Sequence, residues 1–203
     1  ASVSLPRGTL PDALHTKSIT ITRRGDETYS LAISGLAKFD PTLQKLRYAK
    51  DFLPMFARRW QSLSPGGLEG VRSGHEGLNR WRLDQPTPME KMRVLDPSAD
   101  EATLTEIRRR AIDLCPVIGE ARVTASWAGY IDMTPDGIPA IGETQSLPGF
   151  VLAAGLSGHG FGIGPGCGHL VADMVTGVTP IVDPEPYRPE RFDKSAWGKV
   201  ADF

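Results

Sequence analysis

Apolar and polar positions change period several times along the chain. Ile19 and Ile21 alternate with polar residues, Gly25-Asp26 supplies a turn, and Tyr29, Leu31 and Ile33 alternate on the return. Residues 18–35 therefore read as a β-hairpin closed by Gly35. The period lengthens over residues 40–63, where Leu43, Leu46, Ala49, Phe52, Leu53, Phe56 and Trp60 recur at helical spacing. Asp40-Pro41 is a helix start, and Pro54 is expected to kink or split the helix near its middle. Residues 66–95 are rich in Gly and Pro and read as short strands and loops. A second helix is expected over about 100–114, with Leu104, Ile107, Ala111 and Leu114 as its stripe, Arg108, Arg109 and Arg110 on a solvated face, and Pro116 as its stop.

Residues 121–155 read as a run of strands: 121–127 leading into 128–133, a Thr134-Pro135-Asp136-Gly137 turn, and a return over 138–142. The apolar run Gly149 to Gly155 predicts a strand buried on both faces. A helix is expected at about 166–176, capped by Gly177, and a proline-rich tail from Pro180 onward lies along the surface. No internal repeat is present.

Composition narrows the field. The 203 residues carry 23 Lys+Arg and 24 Asp+Glu, a net charge of -1, so bulk charge gives no reason to expect a nucleic-acid partner. A hydrophobic content of 40% is globular. No apolar run approaches the roughly 18 residues of a spanning helix. Cys115 and Cys167 form no CxxC pair, and no metal-ligand spacing is present. The chain opens Ala1-Ser2-Val3 with neither an initiator Met nor a signal-peptide pattern, which leads us to expect a portion of a longer gene product.

The unusual feature is a crowding of glycines. Positions 155, 158, 160, 162, 164, 166 and 168 fall between an apolar strand and a helix. Glycine lets a flat or charged group approach the main chain, and a helix N-terminus favours negative charge. The spacing is neither GxxxxGK[ST] nor GxGxxG, so neither a P-loop nor a Rossmann pyrophosphate fingerprint is present. Two readings remain: a ligand-contacting segment, or a Gly-rich turn that permits close helix–strand packing.

The stretch from Trp127-Ala128-Gly129 through Thr134-Pro135-Asp136-Gly137 to Gly142, followed by 149–168 with Ser157-Gly158-His159-Gly160-Phe161, resembles the C-terminal signature of the D-amino acid oxidase-like flavoenzymes, which include glycine and sarcosine oxidases and D-amino acid dehydrogenases. The ending through Pro189, Arg191 and Phe192 is similar too, and residues 1–120 are compatible with the substrate (cap) domain. The resemblance implies an α+β fold: an antiparallel-rich cap sheet with helices over 1–125, the C-terminal part of an FAD-binding domain over 126–180, and a tail over 181–203. It implies non-covalent FAD contacted by Gly158, His159, Gly160, Phe161, Gly162 and Ile163. His159 is alternatively a structural histidine. Backbone donors and a helix dipole there stabilise the negative charge of reduced flavin.

The family's Rossmann half is absent from this sequence, so the cofactor is expected to be shared with an N-terminal segment or partner polypeptide. The implied reaction is oxidation of the C–N bond of an amine or amino acid to an imine; the alternative is a non-catalytic binding or assembly module with a packing loop. Ile131 stands where amino acid-oxidising members carry a carboxylate-binding Arg, and Gly129 where sarcosine oxidases carry a flavin-linking Cys. Tyr130 is a pocket candidate, Trp127 reads as core, and His75 and Arg122 are substrate-side candidates. A cytoplasmic location is expected, or a peripheral membrane one where a quinone is the electron acceptor.

Overall fold

The computed structural model describes residues 1–25, 27–33, 36–67, 82, 84–87, 90, 93–94, 96–193 and 200–201. Asp26, Gly35, His75 and most of the segment expected to hold short strands and loops lie outside the described residues. The chain divides into two compact units: the first holds Ala1–Phe39, Ser62–Gly66 and the chain up to Tyr130, and the second Asp40–Gln61 and the chain from Ile131 onward.

The first unit is built on a five-stranded antiparallel sheet. Its strands are β1 (Ser2–Ser4), β2 (Ala13–His15), β3 (Ile19–Arg23), β4 (Thr28–Ile33) and β7 (Arg122–Ala125), ordered β2-β3-β4-β1-β7. The expected hairpin is β3–β4, with Ile21 opposite Leu31 and Arg23 opposite Tyr29. Its alternation carries the core: Ile19, Ile21, Tyr29 and Leu31 are buried. Tyr29 keeps its hydroxyl satisfied there by donating to the Leu10 carbonyl at 3.1 Å. A short parallel pair, β5 (Ala37–Phe39) with β6 (Leu63–Pro65), completes the strands of this unit.

Helix α3 (Glu101–Leu114) covers the sheet; Asp100 caps it by accepting the Thr103 N–H at 2.9 Å. Ile107 and Ala111 are buried as the stripe requires, but Leu114 is 42% exposed. Its place in the core is taken by fully buried Ile118, which a 3₁₀ turn, Pro116–Glu120, carries inward beyond the helix end. The arginines pair on the solvent side. Arg109 reaches Glu106 and Asp113, and Arg110 reaches Glu106. An open depression of about 540 Å³ beside them is thus lined by guanidinium groups already engaged.

In the second unit the first helical segment breaks at Tyr48, giving α1 (Leu43–Arg47) and α2 (Ala49–Arg59). Pro54 sits inside α2 without splitting it, since its ring is buried and that packing offsets the missing N–H. Residues 128–133 form no strand. Within this stretch the Asp132 carbonyl accepts the Ser157 N–H at 2.9 Å. The turn at Thr134 is as expected, closed by the Gly137 N–H on the Thr134 carbonyl at 3.2 Å. Strands β8 (Ala140–Glu143) and β9 (Val151–Ala154) pair antiparallel, Ala140 opposite Ala154. β9 is only partly buried, not covered on both faces, because among the described residues its sheet has two strands.

Helix α4 runs Gly160–Thr176, beginning six residues before the expected start, so most of the glycine-rich stretch is helix rather than loop. Gly177 closes it at φ 71°. Behind it the tail winds through two 3₁₀ turns, Glu185–Tyr187 and Pro189–Asp193. Buried Asp173 of α4 holds the start of the tail by accepting the Ile181 N–H at 2.9 Å.

Candidate functional site

Between β9 and α4 lie five residues, Gly155–His159, whose shape is set by a hydrogen-bond lattice. The Gly155 N–H donates to Asp132 Oδ2 at 2.6 Å, and the Ser157 N–H to the Asp132 carbonyl. The buried Ser157 hydroxyl donates to the Gly155 carbonyl at 3.1 Å and lies 3.4 Å from both the backbone nitrogen and the hydroxyl of Thr134. Ser157 has φ 51°, a left-handed conformation that a non-glycine residue adopts at a cost of roughly 1–2 kcal/mol. Its local hydrogen bonds offset that strain. Gly155 has φ 73°, and a Cβ there would overlap Thr134 Cγ2, so the 132–134 strip can only lie this close against glycine.

The lattice delivers the chain to the helix start in one orientation. Gly158, at φ 86°, packs under Ile131: a Cβ on it would be 3.7 Å from Ile131 Cγ2. His159 precedes the helix with φ −102° and ψ 6°, and its carbonyl accepts the N–H groups of Gly162 and Ile163 at 3.0 and 3.1 Å. The N–H groups of Gly160 and Phe161 have no acceptor among the described residues, as expected of a first helical turn. Phe161 is fully exposed and Ile163 partly so. A Cβ on Gly162, Gly164, Gly166 or Gly168 would meet nothing within 4 Å. Among the described residues, no neighbour requires glycine at these four positions. The N-terminal half of α4 is a bare backbone surface with open donors and the positive end of the helix dipole. Open donors and the positive end of a helix dipole favour a negatively charged group there.

The structure thus brings Gly158, His159, Gly160, Phe161, Gly162 and Ile163 together on one segment, with Ile131 against it. Tyr130 and Arg122 belong to the first unit, where both are exposed and Arg122 lies on edge strand β7 opposite Ser4. His75 lies outside the described residues. Trp127 is not core: it is 47% exposed, with the Arg24 guanidinium 5.8 Å from its ring centre.

Sequence reasoning missed the supports. Thr134 stands in the expected turn and Ser157 in the glycine motif, but their bonding to each other and that of Asp132 to Gly155 and Ser157 was not read, because it spans more than twenty residues. The same holds for Arg191, which grips Asp136 in the turn through two hydrogen bonds, at 2.8 and 3.1 Å, and also donates to the Ile138 carbonyl at 2.5 Å. Burial pushes the Asp136 carboxyl up, but Arg191 and the Ile138 N–H outweigh it and hold its pKa below the ordinary value. Among the described residues no group of His, Cys, Asp and Glu could hold a metal ion.

A family model described as "DAO: FAD dependent oxidoreductase" matches residues 40–174. Glycine oxidase of Pseudomonas putida is 38% identical over 94 residues, covering 46% of this chain and 25% of that protein. D-amino acid dehydrogenase of Methylobacterium nodulans is 34% identical over 90 residues, covering 44% of this chain and 21% of that protein. Of solved structures, L-amino acid deaminase from Proteus myxofaciens, in complex with anthranilate, superposes with TM-score 0.82 at 23% identity, over 95% of this chain and 43% of that one. The deaminase from Proteus vulgaris gives TM-score 0.80, also at 23% identity, over 92% and 43%. The similarity to the deaminases establishes a shared mixed α/β fold with an antiparallel sheet. The matched stretch of this chain spans about a quarter of the length of the curated relatives.

Proposed function

The chain belongs to the FAD-dependent oxidoreductase family, and from that premise we propose that it forms the substrate-domain and C-terminal part of an enzyme that oxidises the C–N bond of an amine or amino acid to an imine. FAD, when bound, supplies the two-electron acceptor for that oxidation. The remainder of the cofactor site comes from a segment outside these 203 residues, carrying the dinucleotide-binding half.

The chain's own residues bind and orient. The N–H groups of Gly160 and Phe161, with the dipole of α4, would stabilise negative charge on a bound flavin, and Gly158, His159, Gly162 and Ile163 would help to hold it. Asp132, Thr134 and Ser157 act as positioning residues that fix where the helix begins. Ile131, packed on Gly158, gives the segment an apolar neighbour where the family resemblance implies a carboxylate-binding Arg. Recognition of a carboxylate is therefore left to another cation. The relatives' names point to an amino acid as the substrate class.

The observation that carries this reading is the bare start of α4: open donors and glycines that no described neighbour requires. The test is flavin uptake by the chain purified with its N-terminal segment or partner. A yellow preparation bleached by substrate amines supports the reading. A colourless assembly that takes up no added FAD leaves the non-catalytic module as the better description.

A further inference from the structure

The guanidinium of Arg191 has all five of its N–H donors engaged. Nε and Nη2 donate to the two carboxylate oxygens of Asp136, Nη2 also to the Ile138 carbonyl, and Nη1 to the Tyr187 and Arg188 carbonyls at 2.8 and 3.0 Å. Any rotation of this planar group breaks at least one of these bonds, so it fixes the tail turn that carries it against the 136–138 backbone. The same turn is held twice more: the Ile138 N–H donates to Asp136 Oδ1 at 3.0 Å, and the Ala201 N–H to the Asp136 carbonyl at 2.9 Å.

The carbonyl that Arg191 grips is also the end of a path to the glycine segment. Ile138 accepts the Thr134 hydroxyl at 2.9 Å, and that hydroxyl lies 3.4 Å from the hydroxyl of Ser157. Thr134 Cγ2 is pressed so closely on Gly155 that no Cβ fits between them. Gly155 and Ser157 form the bend that delivers the chain to α4. Thr134, Asp136 and Ser157 are all buried, so a displacement of the turn finds no empty space to relax into and is passed to the bend.

We propose that Arg191 is a positioning residue for the start of α4: acting through Ile138, Thr134 and Ser157, a side chain of the tail sets the aim of the Gly160 and Phe161 N–H groups. Its consequence for a bound flavin rests on the function proposed above; its control of the bend does not.

The test is a double-mutant cycle of Arg191→Ala and Thr134→Val in the full chain, purified with any polypeptide that accompanies it. Thr134→Val keeps a methyl against Gly155 and deletes the hydroxyl between Ile138 and Ser157. The first readout, taken without flavin, is hydrogen exchange of the Gly155 and Ser157 amides, both of which are bonded to Asp132. Each single variant should speed that exchange roughly ten-fold, and the double variant no more than the faster single, as for residues of one network. Should Arg191→Ala fail to fold, Arg191→Lys replaces it, with a smaller rise expected. The second readout is affinity for added FAD, which should fall in step with the exchange rates. Faster exchange confined to the tail turns over 185–193 would make Arg191 a fastener of the tail alone and overturn the proposal. Rate increases that multiply in the double variant would overturn it as well, as would FAD affinity that stays level while exchange at Gly155 and Ser157 rises. A wild-type protein that takes up no FAD but shows the coupled exchange would reject the flavin reading and uphold the control of the bend by Arg191.

Discussion

The guanidinium of Arg191 meets both carboxylate oxygens of Asp136, fifty-five positions earlier in the chain, and this pair fastens the tail to the turn that precedes β8. The side chains are 16% and 7% exposed respectively. Phe192 lies against the same guanidinium, 4.1 Å from ring centre to Cζ. Removing one partner strands a mostly buried charge. Arg191→Ala should therefore lower stability to urea by about 3 kcal/mol. Arg191→Lys should recover little, since an ammonium cannot span both oxygens and the Ile138 carbonyl. Equal urea midpoints for wild type and Arg191→Ala would show that the tail is not held this way.

Gly155 and Thr134 make a sharper test, because the clash is with one methyl group. Gly155→Ala should destabilise by about 2–3 kcal/mol, combining overlap with Thr134 Cγ2 and a left-handed backbone. Adding Thr134→Ser deletes that methyl and keeps the hydroxyl that donates to the Ile138 carbonyl at 2.9 Å. The double variant should regain all but the roughly 1 kcal/mol owed to the dihedral. Additive losses in thermal melts would contradict the packing described.

At Gly162 stability and cofactor uptake should part company. Nothing lies within 4 Å of a Cβ there, and glycine inside a helix costs up to about 1 kcal/mol relative to alanine. Gly162→Ala should raise the melting temperature of the apoprotein while weakening flavin uptake about ten-fold or more, read by fluorescence titration. Gly160 is a poorer site, since a Cβ there already crowds Leu156 Cδ1 at 3.0 Å. A stabilised Gly162→Ala protein with undiminished flavin affinity would move the ring elsewhere.

Acid should loosen the first unit over a defined window. Arg109 and Arg110 hold the Glu106 carboxyl down from its ordinary 4.5 to about 2, and Lys38 with Thr103 holds Asp100 at about 2. Both pKa values are lower in the folded state than in the unfolded one, so the stability they confer is present above about pH 4.5 and lost as pH falls toward about 2. Thermal midpoints followed across that range should drop, and Glu106→Gln should flatten part of the decline. These pairs are exposed, so the drop should also shrink in high salt.

The β3–β4 hairpin and α3 of the first unit were legible from sequence because their signal is local, whereas the short strands β1, β2, β5 and β6 were not read. Ile19, Ile21, Tyr29 and Leu31 alternate within one hairpin, and Asp100 announces α3 three residues before Thr103. The glycine-rich segment was legible as a special feature but not in its geometry. Glycine disfavours helix, so residues 160–165 read as loop; the helix nonetheless begins at Gly160, because the Asp132–Ser157 lattice presets the preceding turn. Tyr130 and Ile131 suggest strand character at 128–133, but Asp132 spends its carbonyl and one carboxylate oxygen on Ser157 and Gly155 instead of a sheet partner. Pro54 marks a break that burial of its ring averts. Phe56 and Trp60 of the expected stripe are 54% and 57% exposed, because periodicity locates a stripe without saying which way it points.

Strand β1 sits between β4 and β7, so one of its flanks pairs with residues 28–30 and the other with residues 122–125. During synthesis at roughly 5–20 residues per second, the second flank has no companion until some ninety further residues have left the ribosome. For about ten seconds the nascent polypeptide therefore presents open amide groups beside an apolar layer, the condition under which strands recruit neighbours from other chains. High-level recombinant expression of this protein should reward added chaperone more than any change to its folded surface.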